Sequence, residues 1–261
     1  MATKTPADKL SKREKQILCG FFLSKFDQEA LKYLGFKSFS EAFNTLGYGL
    51  GARPASIKNY RDELDPFLSI KRVGWHKRQL REHCKQILDN YSCAGLEELG
   101  CLIKQFLYPN AALENIPKIG QILKTFEGAD SSFAKRLMTG RAAEEYFLHT
   151  YESMSEFAGQ TITDTTLWGC GFDFKMTRES NNSFSAVEVK GMRNRAGLIQ
   201  MTELEYFMAE TLADQFFLVV VRNFAEKPFH SVFRNPLRCD LHLERLERRE
   251  TRVLWQANLP A

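Results

Sequence analysis

The feature that most constrains the fold is a pair of short segments in the second half of the chain in which polar and apolar residues alternate. In residues 171–176, apolar side chains occupy one side of an extended strand and Asp173 occupies the other. In residues 183–190, Glu188 and Lys190 share one side of the strand. The residues between the two segments are polar and turn-forming. This pattern predicts a β-hairpin that brings Asp173 close to Glu188 and Lys190.

The charged residues of the second segment lie within an apolar run typical of an interior strand. Removing a carboxylate and an ammonium from water is costly unless they are paired or bind a cation. Oxygen ligands suit Mg²⁺, so two converging carboxylates, Asp173 and Glu188, predict a magnesium site. Lys190 can then hold or polarise a water that the ion activates. A surface hairpin with a cross-strand salt bridge is the alternative interpretation.

Asp173 followed by Glu188 and Lys190 resembles the catalytic core of the PD-(D/E)XK nuclease superfamily, the fold of many type II restriction endonucleases. The superfamily's usual proline before the first acid is absent, and Phe172 stands in its place, which removes no ligand. The resemblance covers roughly residues 130–225, about a third of the chain. It implies that these three residues are catalytic and that Mg²⁺ is the cofactor.

The flanking segments extend this resemblance. Residues 140–144 resemble the Gly-x-x-x-Glu helix that precedes the core, and residues 197–209 and 216–223 resemble the helix and strand that follow it. They are similar in particular to a nuclease-like domain of unknown function common in bacterial defence genes. The resemblance implies that Glu144 supports the metal site or holds a second ion. It also implies that the carbonyl of Val189 is a third metal ligand.

The first half of the chain reads as helical, and it contains two short helices separated by a glycine-rich turn. The second of these begins at Pro54 or the next residue, and the arrangement is typical of a helix-turn-helix unit. In that unit Ile57, Tyr60 and Leu64 pack inward. The side chains predicted to contact DNA lie on or near the exposed side and are Ser56, Lys58, Asn59 and Arg61. A plain helical hairpin with a solvated face is the alternative.

Two further groups of basic residues have the chemistry to contact phosphate. Residues 71–85 contain six Lys or Arg residues against one acid and also include Trp75. The second group lies in the loop that follows Lys190. The residues predicted to contact DNA from these two groups are Lys77, Arg78, Arg193 and Arg195. Solvated helix and loop faces are the competing interpretation.

The sequence therefore predicts an α+β or α/β fold in two domains. Residues 1–128 form a helical, helix-turn-helix-like DNA-recognition domain, and residues 129–261 form the nuclease domain. In the second domain, a long helix from about residue 130 precedes the hairpin, and a helix from Met201 leads to an apolar strand at residues 216–221. This order is typical of a mixed sheet flanked by helices, as in restriction endonucleases.

Charge and cysteine content limit the partners and the compartment. The net charge is +4, from 36 basic and 32 acidic residues, so basic groups must cluster to favour nucleic acid. The six cysteines show no Cys-x-x-Cys spacing and indicate reduced thiols rather than zinc ligands. The N-terminus has no apolar secretory run, and nothing approaches a membrane span. We expect a cytoplasmic protein with no membrane partner.

The functional expectation is a Mg²⁺-dependent DNA endonuclease, a type II restriction enzyme that hydrolyses phosphodiester bonds and leaves 5′-phosphates. The resemblance implies double-stranded DNA as substrate, a homodimer, and a cognate DNA methyltransferase as functional partner. Two alternatives use the same fold without restriction activity. One is a sequence-specific or modification-reading DNA-binding module, and the other is a phage-defence effector.

Overall fold

The computed structural model describes residues 10–68, 70, 72, 74–75, 78–107, 130–178 and 184–247. Its helices are α1 (Lys12–Leu34), α2 (Phe39–Gly49), α3 (Pro54–Leu64), α4 (Glu82–Tyr91), α5 (Leu96–Leu107), α6 (Asp130–Thr150) and α7 (Glu203–Leu212). Its strands are β1 (Thr161–Asp164), β2 (Phe174–Thr177), β3 (Phe184–Gly191), β4 (Phe216–Arg222) and β5 (Phe229–Arg234). Short 3₁₀ turns follow α3, α6 and α7. The fold is mixed α+β, with helices in the N-terminal part and the sheet in the C-terminal part, which confirms the predicted class.

Local signals in the sequence set the ends of α1. Ser11 and Glu14 form a capping box, because the Ser11 hydroxyl accepts the Glu14 N–H and the Glu14 carboxylate accepts the Ser11 N–H at 2.8 Å. The helix is kinked at Asp27, whose φ of 49° and ψ of −118° are not helical. It ends at Gly35, whose φ of 77° is left-handed and favours glycine.

The N-terminal core surrounds α1, whose residues 17–24 are buried on every side. Such a helix is apolar all round because it is the centre of a bundle rather than a surface element. Helices α2, α3, α4 and α5 pack around it. The inward positions predicted for α3 are confirmed, since Ile57, Tyr60 and Leu64 are all buried.

The described strands form one sheet in the order β1-β2-β3-β4-β5, in which β3 and β4 are parallel and the other neighbouring pairs are antiparallel. Helix α6 covers one face, where it packs on residues such as Val187 and Val219. Helix α7 connects β3 to β4 and packs on the other face, near Ala186 and Phe216. Because side chains alternate along a strand, Glu188 and the other even-numbered residues of β3 lie on the α7 face.

Helix α6 crosses β3 so closely that only glycine fits at the crossing point. A Cβ atom at Gly191 would collide with the carbonyl oxygen of Thr139 and lie 3.0 Å from the Cβ of Ala143. This close approach fixes α6 against the end of β3. It thereby places Glu144, the residue after Ala143, beside the same end of the sheet.

The helical part and the sheet part contact each other through α2, which packs against α6. The side-chain amide of Asn44 donates to the carbonyl oxygens of Phe224 at 2.9 Å and Glu226 at 2.7 Å, in the β4–β5 loop. The predicted domain boundary near residue 128 lies outside the described residues, and the division into two domains stays a prediction. Within the described ranges, no helix combines the length and apolar character needed to cross a lipid bilayer.

Candidate active site

Asp173 lies immediately before β2 and is held by backbone hydrogen bonds on both sides. Its N–H donates to the carbonyl of Val187 at 3.0 Å, and its carbonyl accepts the N–H of Thr165 at 2.8 Å. Its carboxylate oxygen Oδ2 accepts the N–H of Val189 at 2.8 Å. The predicted antiparallel pairing is confirmed, with Phe174 opposite Val187. The carboxylate is therefore directed toward the part of β3 that carries Glu188 and Lys190.

Glu188 and Lys190 meet a third charged residue, which comes from α7. Glu188 is 4% exposed, and its Oε1 lies 2.6 Å from the ammonium nitrogen Nζ of Lys190. The same nitrogen lies 2.6 Å from Oε2 of Glu205. Glu205 is the third residue of α7 and forms a capping box with Thr202, so the start of the helix fixes its carboxylate.

The pKa values of Asp173 and Glu188 are both raised above their ordinary values. Burial raises the pKa of Glu188 to about 8, and the negative charge of Asp173 acts in the same direction. Burial likewise raises the pKa of Asp173 to about 6, although the hydrogen bond from Val189 opposes the change. Burial disfavours the charged amine of Lys190, but Glu188 and Glu205 outweigh this effect and raise its pKa. One ammonium thus neutralises only part of the acidic charge.

Glu144 joins the site from α6, on the side opposite α7. Burial and the negative charges of Asp173 and Asp164 raise the pKa of Glu144 to about 7. A carboxyl group with this pKa can accept or donate a proton at neutral pH. Its neighbour Glu145 faces the N-terminal part instead, since a Cβ at Gly51 would lie 3.0 Å from the Glu145 carboxylate.

The donor atoms at the site are carboxylate and carbonyl oxygens, the types that a hard divalent cation prefers. A bound cation stabilises buried carboxylates because it offsets both their desolvation cost and the repulsion between them. In β3, the backbone N–H and C=O groups of odd-numbered residues point toward β2. The N–H of Val189 donates to the Asp173 carboxylate, and its carbonyl points to the same side of the strand. In the described part of the chain, no three His, Cys, Asp or Glu side chains form a ready metal cluster. The ligands predicted for Mg²⁺ remain the carboxylates of Asp173 and Glu188 and the carbonyl of Val189.

The raised pKa of Glu144 predicts a pH-dependent gain in stability for Glu144→Gln. The folded pKa of about 7 lies above the ordinary value of 4.5, so the free energy of unfolding of the wild type falls as pH rises between these values. Glutamine does not titrate. We expect the variant to be more stable by about 3 kcal/mol at pH 8 and nearly equal in stability at pH 4.5. Urea unfolding in the presence of a chelator measures the free energies of unfolding of the wild type and the variant at each pH. A difference in stability that does not change with pH would contradict the prediction.

Helix α3 exposes only some of the residues predicted to contact DNA. Lys58 and Asn59 are exposed, and Ser56 is half-buried. Arg61 is engaged within the protein. Its guanidinium lies 4.9 Å from the ring centre of Phe39 and 4.8 Å from that of Phe43, and it pairs with Asp62 at 2.6 Å.

The other predicted DNA contacts also divide into exposed and engaged side chains. Arg78 and Arg195 are exposed, whereas Lys77 lies outside the described residues. Arg193 forms a two-point ion pair with the buried carboxylate of Glu41. Two further arginines of the basic segment pair with buried acids, Arg72 with Asp65 and Arg81 with Glu63. Binding of DNA by any of these residues stays a prediction.

Sequence reasoning assigned no role to Glu205 at the site. The signal for its helical position was present, since Thr202 and Glu205 have the spacing of a capping box. Its contact with Lys190 joins residues 15 positions apart, so patterns between neighbouring residues do not predict the contact. Asp164, at the end of β1, was also missed, although its charge acts on both Glu144 and Asp173.

The fold and site define a mixed α+β protein whose sheet carries a partly buried group of acids around one lysine. Residues 143–234 match the family model described as "Protein NO VEIN, C-terminal". This range contains every residue of the candidate site: Glu144, Asp164, Asp173, Glu188, Val189, Lys190 and Glu205. No curated protein and no solved structure matches the chain. The resemblance to the PD-(D/E)XK nucleases stays a prediction.

Proposed function

We propose that the chain is a Mg²⁺-dependent DNA endonuclease, a type II restriction-like enzyme that hydrolyses phosphodiester bonds and leaves 5′-phosphates. The observation that carries the proposal is that Asp173, just before β2, lies against the part of β3 that carries Glu188 and Lys190, in one partly buried site. Glu188 is 4% exposed, and a carboxylate buried to this extent is costly to keep unless it is paired or binds a cation. A bound cation would stabilise these carboxylates and could also bind a phosphate group.

Asp173 and Glu188 would hold the ion, with the carbonyl of Val189 as a third ligand. When bound, Mg²⁺ supplies a Lewis acid for a phosphate oxygen and lowers the pKa of water. Metal binding requires both acids to be ionised, so the raised pKa values imply that loading releases protons near neutral pH.

Lys190 would act on the attacking water and on the phosphate. Its ammonium lies 2.6 Å from Glu188, so it reaches the immediate surroundings of a metal ligand. From there it can orient a water for attack in line with the leaving 3′-oxygen and offset negative charge that develops on the phosphate. Glu144, whose pKa is about 7, can exchange a proton at neutral pH beside the same site.

Double-stranded DNA is the proposed substrate. The exposed side chains that would contact phosphates or base edges are Lys58, Asn59, Arg78 and Arg195. A two-fold dimer would match a palindromic recognition sequence. A cognate methyltransferase would protect the host DNA, and a cytoplasmic location would place the enzyme where that DNA is.

Digestion of DNA by the purified full chain tests the proposal. Unmethylated phage DNA is incubated with Mg²⁺ or with EDTA, and the ends of any fragments are mapped. We expect discrete fragments with 5′-phosphates and 3′-hydroxyls only when Mg²⁺ is present. Parallel reactions contain RNA and modified DNA, and cleavage of only one of these would replace restriction by a defence-effector function. Sequence-specific binding without product under Mg²⁺ or Mn²⁺ would favour a DNA-binding module.

A further inference from the structure

The ammonium of Lys190 is shared between two carboxylates that occupy different positions in the site. Glu188 lies on the same strand, two residues before Lys190, and is the proposed metal ligand. Glu205 lies on α7 and takes no part in the proposed metal binding. The distances from Lys190 Nζ to the two carboxylates are equal, at 2.6 Å each.

We propose that Glu205 is a positioning residue that holds the Lys190 ammonium over the site while Glu188 binds the metal ion. The inference rests on the proposed nuclease function for its catalytic part. Its structural part, that Glu205 fixes the lysine, concerns the protein without metal or DNA and is tested separately.

The position of the Glu205 carboxylate is itself firmly fixed. Its Oε2 accepts the backbone N–H of Thr202 at 3.0 Å as well as the Lys190 ammonium. The side chain is 15% exposed, and a carboxylate in the first turn of a helix is favoured by the helix dipole. Helix α7 packs on the sheet through buried Ala209, and two donors, the Thr202 N–H and the Lys190 ammonium, hold the Glu205 carboxylate.

The arrangement gives the two carboxylates separate tasks. A metal ion on Glu188 competes with the ammonium for that carboxylate, because both are cations. With Glu205 present, Lys190 keeps a strong acceptor and stays beside the reacting phosphate. Without Glu205, its remaining ion-pair partner among the described residues is Glu188, so the lysine would compete with the metal or swing away.

The capping box allows the helix role of Glu205 to be separated from its role toward Lys190. Glutamine at the third helical position also completes a capping box, so Glu205→Gln keeps the helix start and loses the ion pair. Thr202→Ala has the opposite effect, since it removes the capping hydroxyl and leaves the Glu205 carboxylate in place. Glu205→Ala removes both interactions.

Three measurements are made on each variant. The first is the ¹⁵N–¹H signal of the Lys190 ammonium by NMR without metal or DNA, assigned by its loss in Lys190→Arg. The second is steady-state cleavage of DNA with Mg²⁺, which separates kcat from KM. Thermal unfolding reports the helix cap.

For Glu205→Gln we expect a shifted or exchange-broadened Lys190 signal, an unchanged Tm, and a kcat lower by about 10- to 100-fold at constant KM. For Thr202→Ala we expect a lower Tm with the lysine signal and kcat of the wild type. A wild-type lysine signal in Glu205→Gln would overturn the holding role. Wild-type kcat in Glu205→Gln with an altered signal would overturn the catalytic role. If the wild type cleaves no nucleic acid, the nuclease proposal and the catalytic role both fall, and the NMR signal still decides whether Glu205 holds the lysine.

Discussion

Replacing Lys190 with alanine is expected to reduce DNA cleavage by about a hundred- to a thousandfold while DNA affinity stays within about twofold. The ammonium lies between two carboxylates at the candidate metal site, and its proposed work is done in the transition state. A group that acts only there changes kcat and leaves ground-state binding unchanged. Single-turnover cleavage with Mg²⁺ and gel-shift titration with Ca²⁺ measure the two quantities.

The control for this prediction is a lysine on the neighbouring strand. Lys175 in β2 places its ammonium 5.3 Å from the ring centre of Phe184, outside the acidic group. Lys175→Ala should cleave DNA at the wild-type rate. Lys190→Met keeps the aliphatic stem and serves if the alanine variant unfolds. Full Mg²⁺-dependent cleavage by a folded Lys190 variant would refute the role assigned to this residue.

The elements that carry the site were predictable because they depend on local patterns. Alternation placed Asp173 next to the segment of Glu188 and Lys190, and the apolar run at residues 216–221 marked a buried strand. A capping box and a glycine marked the two ends of α1. These signals act between residues close in sequence, and tertiary packing did not override them.

The partners of long charged side chains were not predictable in the same way. The residue type of Arg61 and its position on α3 predicted a contact with DNA. In the structure its guanidinium instead contacts the rings of Phe39 and Phe43 and pairs with Asp62. The acids that engage the arginines of the basic segment come from distant positions, and their choice depends on how the helices pack. A count of basic residues therefore overestimates the number whose side chains are available to contact phosphate. Lys58 is an example of a basic side chain that the fold leaves exposed.

Replacing Arg193 with alanine is expected to lower stability more than DNA affinity, because Glu41 engages the guanidinium within the protein. Arg193 lies three residues after Lys190, and its guanidinium pairs with Glu41 of α2, whose side chain is 7% exposed. The pair joins the helical part of the protein to the loop that follows β3. Removing Arg193 takes away the ion-pair partner of this buried carboxylate, which is destabilising even though the backbone N–H of Lys37 still donates to Glu41. Because Arg193 is itself 33% exposed, we expect a loss of about 2–3 kcal/mol in the free energy of unfolding.

Arg195→Ala is the matched control, since it removes an arginine from the same loop. Its guanidinium lies 5.8 Å from the ring centre of Phe229, and the side chain is exposed. We expect a stability change within about 0.5 kcal/mol and a weaker, salt-sensitive affinity for DNA. Urea unfolding and DNA titration at two salt concentrations distinguish the variants. A double-mutant cycle with Glu41→Gln measures the coupling directly. If Arg193→Ala keeps the wild-type stability and loses DNA affinity, Arg193 serves the phosphate backbone and its pairing with Glu41 is incidental.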